Sequence, residues 1–302
     1  MMSFTKPWKN PVIVKEIRTR MRGNRAFILL TIHLILVTLA VGLIYVVFQS
    51  SLSSGNSQEG RRMFGKVLFG LILWLELVTI SFIAPALTSG AISLERERQT
   101  FDLLRVTLLP ARELVLGKYA SGLVFIFLLL FTSIPLYGPA YLAGGVILEE
   151  ILIGILVLGI SAIAFCAVGI LFSSLLPRTL LSTVLSYAFA IFIVFGIPII
   201  FAIVLIIFGI STNGSFNAFS PLAQAILLFT GWLLVSITPL ATIIATEILL
   251  LDQHSIFLAK ITLPNQATVT LISPWIPYVM IYICSTIFIL WLSIRTVKRI
   301  ET

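Results

Sequence analysis

The sequence predicts an all-α polytopic integral membrane protein, and two observations carry that prediction. Hydrophobic residues make up 59% of the 302 residues and charged residues 11%, whereas about a quarter of an ordinary soluble domain is charged. Apolar runs longer than about 18 residues, enough for a helix to cross a bilayer, recur along the chain. The alternating segments of about ten residues that are typical of an outer-membrane barrel do not occur. We expect one transmembrane domain over residues 1–302.

A basic amphipathic helix is predicted at the start of this domain, over residues 10–23. Asn10 and Pro11 suit its beginning and Gly23 suits its end. One face is apolar, and the other is basic and carries Lys15, Arg18, Arg22 and Arg25. Such a helix lies along the cytoplasmic lipid headgroups. The alternative is that these charges only set the orientation of the chain.

Six apolar runs bounded by charges or turn residues predict six transmembrane helices. They cover residues 26–48, 67–89, 119–143, 151–176, 180–208 and 271–294. A further apolar stretch, 219–251, is broken by Pro221, Gly231, Pro239 and Glu247. We interpret it as a helical hairpin that enters and leaves the membrane from the outer side.

The distribution of basic residues supports this topology. With the N-terminus in the cytoplasm and 219–251 re-entrant, 16 of the 20 Lys and Arg residues are cytoplasmic. A single crossing by 219–251 would place the basic C-terminal tail outside, which the rule disfavours. A double crossing would keep both termini in the cytoplasm, and charge does not exclude it.

The segment 91–118, between the second and third spans, is unusually charged. Nine of the 32 acidic and basic side chains lie between Glu95 and Lys118. Phe101, Leu104 and Leu108 fall on one face, and Pro110 opens a new helix that leads into the third span. Apolar side chains exposed outside the membrane favour a protein partner. The alternative is an ordinary solvated loop.

This segment resembles the cytoplasmic loop of ATP-binding-cassette (ABC) exporter permeases of the second type. Their pattern, Glu-Lys/Arg-Glu-x-Gly-Thr-x-Glu-x-Leu-Leu, then Thr-Pro and a helix ending in Leu-Gly-Lys, aligns without gaps. The matching residues are Glu95, Arg96, Glu97, Thr100, Asp102, Leu103, Leu104, Thr107, Glu113, Leu116, Gly117 and Lys118. The sequence departs from the pattern at Gln99, where the family has Gly, and at Leu108, where it has Pro. The N-terminal helix and the six-span plan extend the likeness over the chain.

The resemblance implies a coupling helix that docks in a groove of a separate ATPase subunit. The implied docking residues are Thr100, Phe101, Leu103, Leu104 and Arg105. Glu95 and Glu97 would lie near the membrane and pair with Arg96, Arg98 or the N-terminal helix. The implied assembly holds two ATPase subunits and a second permease copy or a sister permease. It would export substrate across the cytoplasmic membrane, with both termini of this chain cytoplasmic.

Nucleotide chemistry is not expected in this chain. The stretch 60–67, GRRMFGKV, resembles a phosphate loop, but Val67 stands where Ser or Thr must hold magnesium. We therefore expect a permease without catalytic residues, metal or cofactor of its own, while ATP and Mg²⁺ bind the partner ATPase. Glu149 and Glu150 are interpreted as an acidic external turn.

Glu76 and Pro198 are the candidates for the translocation path. A carboxyl group in the middle of the second span is costly and marks a functional site, unless a neighbouring helix simply satisfies it by a hydrogen bond. An alternative function follows from Glu76 and Glu247, namely an ion-coupled secondary transporter. An intramembrane enzyme would need a cluster of polar residues at one depth, which the sequence does not suggest. The apolar spans slightly favour a lipid-like or amphipathic substrate.

Overall fold

A computed structural model describes residues 11–21, 24–53, 57–100, 110–211, 221–253, 256–262 and 268–301. Twelve α-helices occur in these ranges. They are α1 (Pro11–Met21), α2 (Asn24–Ser53), α3 (Ser57–Thr88), α4 (Ser93–Glu97), α5 (Ala111–Ser133), α6 (Gly138–Leu142), α7 (Leu148–Leu175), α8 (Thr179–Ile191), α9 (Ile197–Ser211), α10 (Pro221–Ile237), α11 (Pro239–Gln253) and α12 (Trp275–Glu301).

Six helical segments of the described residues are long and apolar enough to cross a membrane, which confirms the all-α polytopic fold. They are Ala26–Gln49, Gly60–Glu97, Ala111–Leu142, Leu148–Leu175, Thr179–Val204 and Trp275–Arg299. Helix α3, which contains the second predicted span (67–89), begins ten residues before that span, at Ser57. Packing extends it, because buried Phe64 contacts the rings of Tyr45 and Phe48 on α2, with centroid distances of 6.2 and 5.9 Å.

Helix α7 lies at the centre of the protein and packs against α3, α5, α8, α11 and α12. Small residues allow this close packing, as is usual between helices in lipid. A Cβ atom added at Gly154 would lie 3.0 Å from Leu73 of α3, and one added at Gly169 would collide with the Thr88 side chain. The helix pair α3–α7 therefore depends on glycine.

Two of the spans are irregular, and each irregularity coincides with proline. After α5 the chain forms a 3₁₀ turn, Ile134–Tyr137, and then the short α6; Pro135 and Pro139 lie in these two pieces. Between α8 and α9 a π-helical segment, Phe192–Gly196, precedes Pro198. A proline removes a backbone donor from the helix, and prolines and π-bulges are the usual sites of sharp bends in helices.

Two helices, α10 and α11, cover the described part of the predicted hairpin and meet at Thr238. Segments Leu228–Ile237 and Pro239–Leu250 are bent by 117° relative to each other, the geometry of a broken span or of a re-entrant loop. The Thr242 hydroxyl donates to the Val235 carbonyl across the break at 2.8 Å. The same carbonyl accepts the Thr238 backbone N–H at 3.3 Å, and these two donors replace the regular one, since Pro239, four residues after Val235, has no N–H.

An antiparallel β-hairpin between α11 and α12 has no counterpart among the predicted elements. Strand β1 (Leu258–Thr262) pairs with β2 (Thr268–Ile272), with Leu258 opposite Ile272. Both strands are rich in β-branched residues, which favour strands. The indole N–H of Trp232 donates to the Ile272 carbonyl at 2.9 Å and holds the hairpin against α10.

Candidate functional site

The charged segment 91–118 begins as an ordered extension of α3. A tight turn leads from α3 into α4, and Thr100 ends this described part, exposed and with its backbone N–H donating to the Glu95 carbonyl at 2.9 Å. Four of the five predicted docking residues, Phe101, Leu103, Leu104 and Arg105, lie outside the described residues. The structure therefore describes the base of the predicted coupling loop.

Gln99 adopts a left-handed backbone conformation, with φ at 57°. It is the position at which the resembled pattern has glycine, the residue that takes this conformation without strain. A non-glycine residue there costs about 1 kcal/mol or more. Gln99 thus differs from the glycine of the resembled pattern in its side chain, but its backbone has the left-handed conformation that glycine favours.

Lys118 on α5 joins the base of the loop to the N-terminal helix. Its side chain is buried, and its Nζ lies 2.6 Å from Glu95 Oε1 on α4 and 3.6 Å from Glu16 Oε1 on α1. A buried ammonium group is stable only when it is paired in this way. The sequence pattern pairs Glu95 with Arg96, Arg98 or the basic helix. In the described contacts Glu95 pairs with Lys118, and Lys118 reaches α1 at the acidic residue Glu16.

Glu97 joins the end of α4 to the start of α8. Its Oε2 accepts hydrogen bonds from the backbone N–H of Thr179, at 3.3 Å, and from the Thr179 hydroxyl. A carboxylate at this position satisfies a free donor at the helix N-terminus and interacts favourably with the helix dipole. Glu97 therefore caps α8 from another helix.

Serine side chains bind the turn between α3 and α4 to the helices behind it. Ser173 Oγ on α7 accepts the backbone N–H groups of Ile92 and Ser93 at 2.8 and 3.0 Å. The Ser182 hydroxyl on α8 donates to the Ser89 carbonyl at 2.7 Å. All five residues are buried. The base of the loop is thus fixed to α1, α5, α7 and α8 by polar contacts.

The predicted amphipathic helix exists as α1 and packs against α5 and α2. Lys15 and Arg18 are exposed on it, Arg22 lies outside the described residues, and Arg25 is the second residue of α2. The basic side chains that are described therefore point away from the helices. Glu16, on the side that faces α5, was not singled out by the sequence pattern.

Glu76 lies in a buried polar cluster between α2, α3 and the broken end of α5. The carboxyl group is 1% exposed, and its Oε2 accepts a hydrogen bond from the Tyr137 hydroxyl at 2.6 Å. Ser133 also interacts with this carboxyl group, yet Oε1 has no hydrogen-bond partner among the described residues. On the far side of Ser133, His33 Nε2 lies 3.0 Å from its Oγ.

Of this cluster, sequence reasoning found Glu76 alone. His33 is an ionisable residue in the first span, and that is the signal that could have linked it to Glu76. Ser133 and Tyr137 carry no such signal, because hydroxyl groups are common in spans. Pro198, the other predicted path residue, follows the π segment at the start of α9. No hydrogen bond or ring contact described for that helix connects it with Glu76.

Two further carboxyl groups, Glu150 and Glu247, line a small cleft between α3, α7 and α11. Glu150 is 5% exposed and accepts the Ile147 backbone N–H at 3.2 Å, so it caps α7, while Glu149 is exposed. Glu247 lines the same cleft and interacts with Glu150 and Lys66. The acidic turn thus contains one buried capping residue, and Glu247 faces this cleft.

The fold and its sites define a polytopic α-helical membrane protein with an anchored charged loop and an intramembrane carboxyl group. No known family model matches the chain, and no characterised protein shows significant similarity to it. The likeness to ABC exporter permeases rests on residues 95–118, the N-terminal helix and the six-span plan, and it stays a prediction.

Proposed function

We propose that this chain is the transmembrane permease subunit of an ABC exporter, driven by separate ATPase subunits. The observation that carries the proposal is the triad of Lys118, Glu95 and Glu16, which ties the resembled loop to α1 and α5. A loop that only connects two spans needs no such charge network around a buried lysine. A loop that receives a force needs stiff connections to the helices it moves.

In the proposed mechanism residues 100–105 of this chain dock on the ATPase, and Leu103 and Leu104 are their apolar anchors. Closure of the ATPase pushes the loop, Lys118 transmits the displacement to α1 and α5, and Glu97 transmits it to α8. ATP binding favours one of two arrangements of the spans, so the permease moves substrate by alternating access and makes or breaks no bond itself.

The proposed assembly contains a second permease copy or a sister permease, with a substrate path between the two. ATP and Mg²⁺ bind the ATPase subunits, and this chain holds no cofactor. Both termini lie in the cytoplasm, the bent pair α10–α11 enters from the outer side, and the basic end of α12 follows the positive-inside rule. The apolar spans favour a lipid-like or amphipathic substrate.

Affinity purification from gently solubilised native membranes tests the docking step. We expect an ATPase subunit to co-purify with the unmodified chain and to be lost from Leu103→Asp/Leu104→Asp. Met63→Asp is the matched control, because Met63 is 60% exposed at the opposite end of α3, and it should retain the ATPase. Equal gel-filtration profiles establish that all three chains are folded. Retention of the ATPase by the double variant would refute docking at this loop.

The alternative function, an ion-coupled secondary transporter, draws on one observation, the burial of Glu76 away from any ion pair described here. It predicts uptake into proteoliposomes that follows an ion gradient in the absence of ATPase. The exporter proposal predicts no transport by this chain alone. Reconstitution with and without the co-purified ATPase therefore separates the two functions.

A further inference from the structure

We propose that Glu76, Ser133 and His33 form an intramembrane proton-binding site, in which Glu76 exchanges its proton with His33 through the Ser133 hydroxyl. The proposal concerns the interior of the spans and does not depend on an ATPase partner. It assigns a ligand, a proton, to a cluster that the transport cycle proposed above does not use.

The first argument is the unsatisfied oxygen of Glu76. Tyr137 donates to Oε2 at 2.6 Å, while Oε1 has no hydrogen-bond partner among the described residues. A buried acceptor without a donor is costly, and an unpaired ionised carboxyl is more costly still. A proton on Oε1 removes the charge.

The second argument is the lack of space for a larger ligand. Glu76, Tyr137, Ser133 and His33 are 1%, 3%, 0% and 4% exposed. The surrounding residues Leu73, Leu77 and Ile80 are also buried, at 1%, 0% and 0%. A hydrated metal ion or an organic ligand needs a cavity, whereas a proton occupies none.

The third argument is the direction of the hydrogen bonds. In the imidazolium form both ring nitrogens of His33 carry hydrogen, so Nε2 donates to Ser133 Oγ across the 3.0 Å contact, while the Ser133 hydroxyl lies 3.2 Å from the Leu129 carbonyl that it can donate to. The Ser133 side chain also interacts with the Glu76 carboxyl group, so rotation of the hydroxyl turns its hydrogen from the Leu129 carbonyl toward Glu76. Proton transfer then breaks the Nε2–H bond of the imidazolium, forms a new O–H bond on Ser133, and moves the original hydroxyl proton to Oε1. Imidazolium and carboxylate become neutral imidazole and carboxylic acid, and no other reactant is needed.

The charged groups on the neighbouring helices interact with one another and not with Glu76 or His33 in the described contacts. Helices α2, α5, α6, α7, α8 and α11 pack against α3. Of their titratable and charged groups, Tyr137, in the turn after α5, is the one that interacts with Glu76 in the described part of the chain. Glu150 and Glu247 line the separate cleft with Lys66 nearby, and Lys118 is paired with Glu16 and Glu95.

The break in the third span places the relay at a movable point. Ser133 ends α5, and Tyr137 ends the 3₁₀ turn that follows. Discontinuous helices are where membrane transporters place coupling-ion sites, since the freed backbone there can rearrange. Transfer of a proton between His33 on α2 and Glu76 on α3 changes the hydrogen bonds that hold three helices together.

Infrared spectroscopy of the purified protein in lipid vesicles tests the proposal through the C=O stretch of a protonated carboxyl group. At neutral pH we expect this band in the unmodified protein and in the control Glu149→Gln, whose side chain is exposed. The band should be lost in Glu76→Gln. A spectrum of Glu76→Gln identical to that of the unmodified protein would show that Glu76 is ionised and would overturn the site.

Transfer to D₂O tests the relay, because deuterium exchange shifts the same band. Ser133→Ala and His33→Gln should keep the band and slow its exchange about tenfold or more, as expected when a positioned proton donor is removed. Exchange at the unmodified rate in both variants would overturn the relay. If Glu76→Gln fails to fold, Tyr137→Phe replaces it: loss of the hydrogen bond to Oε2 should raise the band frequency, and an unchanged frequency would contradict the assignment to Glu76.

Discussion

The central helices α3, α5 and α7 are packed mainly against protein, whereas the outer segments α2 and α8–α9 are mainly exposed at the surface. In the spans that contain α3, α5 and α7, 50%, 61% and 67% of the most apolar window is buried, against 11% in α2 and 11% in α8–α9. The outer segments expose aliphatic side chains such as Leu43, Val47 and Leu180, at 68%, 70% and 75%. Apolar side chains are equally stable in lipid and in protein, so small and polar residues must hold the centre together. Helices of similar apolar composition therefore occur both in the packed centre and at the exposed periphery.

The largest effect is expected where a glycine of the centre is enlarged. In Gly169→Leu the new side chain collides with Thr88 and separates α3 from α7, which should lower the free energy of unfolding by about 3 kcal/mol. The control Gly42→Leu places the same residue on α2, where an added Cβ meets nothing within 4 Å. Denaturant titration in detergent micelles measures both, and equal losses would show that the centre is packed no more tightly than the periphery.

The next effect is expected at Lys118. In Lys118→Met the carboxyl groups of Glu95 and Glu16 lose their partner; they are 24% and 26% exposed, so we expect a loss of about 2 to 3 kcal/mol, at or below the lower end for a fully buried pair. The control Lys15→Met changes an exposed lysine of α1 and should change stability by only a few tenths of a kcal/mol.

A charge reversal sharpens the result at Lys118. The double variant Lys118→Glu/Glu95→Lys keeps the opposite charges of the pair and should recover part of the stability that Lys118→Glu loses. Thermal unfolding of the unmodified protein, of Lys118→Glu, of Glu95→Lys and of the double variant measures the coupling between the two sites. A double variant no better than the single one would mean that the contact between α4 and α5 contributes nothing to the fold.

A smaller effect is expected from a hydrogen bond between central helices. Ser161 on α7 lies 2.7 Å from the Tyr278 hydroxyl of α12, and both residues are fully buried. Ser161→Ala should cost about 0.6 kcal/mol, the average for hydrogen bonds between helices in membranes. Ser285→Ala is the control, because its hydroxyl bonds only to the Tyr282 carbonyl of its own helix in the described contacts. If the control loses as much as the test variant, the bond between the helices has no special weight.

The smallest effect, and a favourable one, is expected at the base of the loop. Gln99→Gly relieves the left-handed backbone at φ 57° and increases the entropy of the unfolded chain, for a net gain of about 0.5 kcal/mol. Gln99→Ala keeps the strain and should bring no gain. A melting temperature raised equally by both variants would show that the side chain of Gln99, and not its backbone, is unfavourable.

Sequence reasoning found the spans because an apolar run of bilayer length is a local property. The predicted range 151–176 differs from Leu148–Leu175 by a few residues, and the break around 219–251 was visible in its prolines. Sequence reasoning missed the β-hairpin 258–272, because two five-residue strands beside long apolar helices leave a weak signal. Of the loop residues 100–105, on which the functional prediction depends most, Thr100 lies within the described structure and 101–105 lie outside it.

The sequence by itself determined that this is a helical membrane protein with six spans, an amphipathic N-terminal helix and a charged segment after the second span. Tertiary structure alone decided the partners of the charged and polar groups. Glu95 meets Lys118 23 residues away, Glu76 meets Tyr137 61 residues away, and His33 meets Ser133 100 residues away. The physical reason is that a span needs only its own hydrophobicity to enter lipid, whereas a buried polar group depends on whichever helix the packing brings next to it.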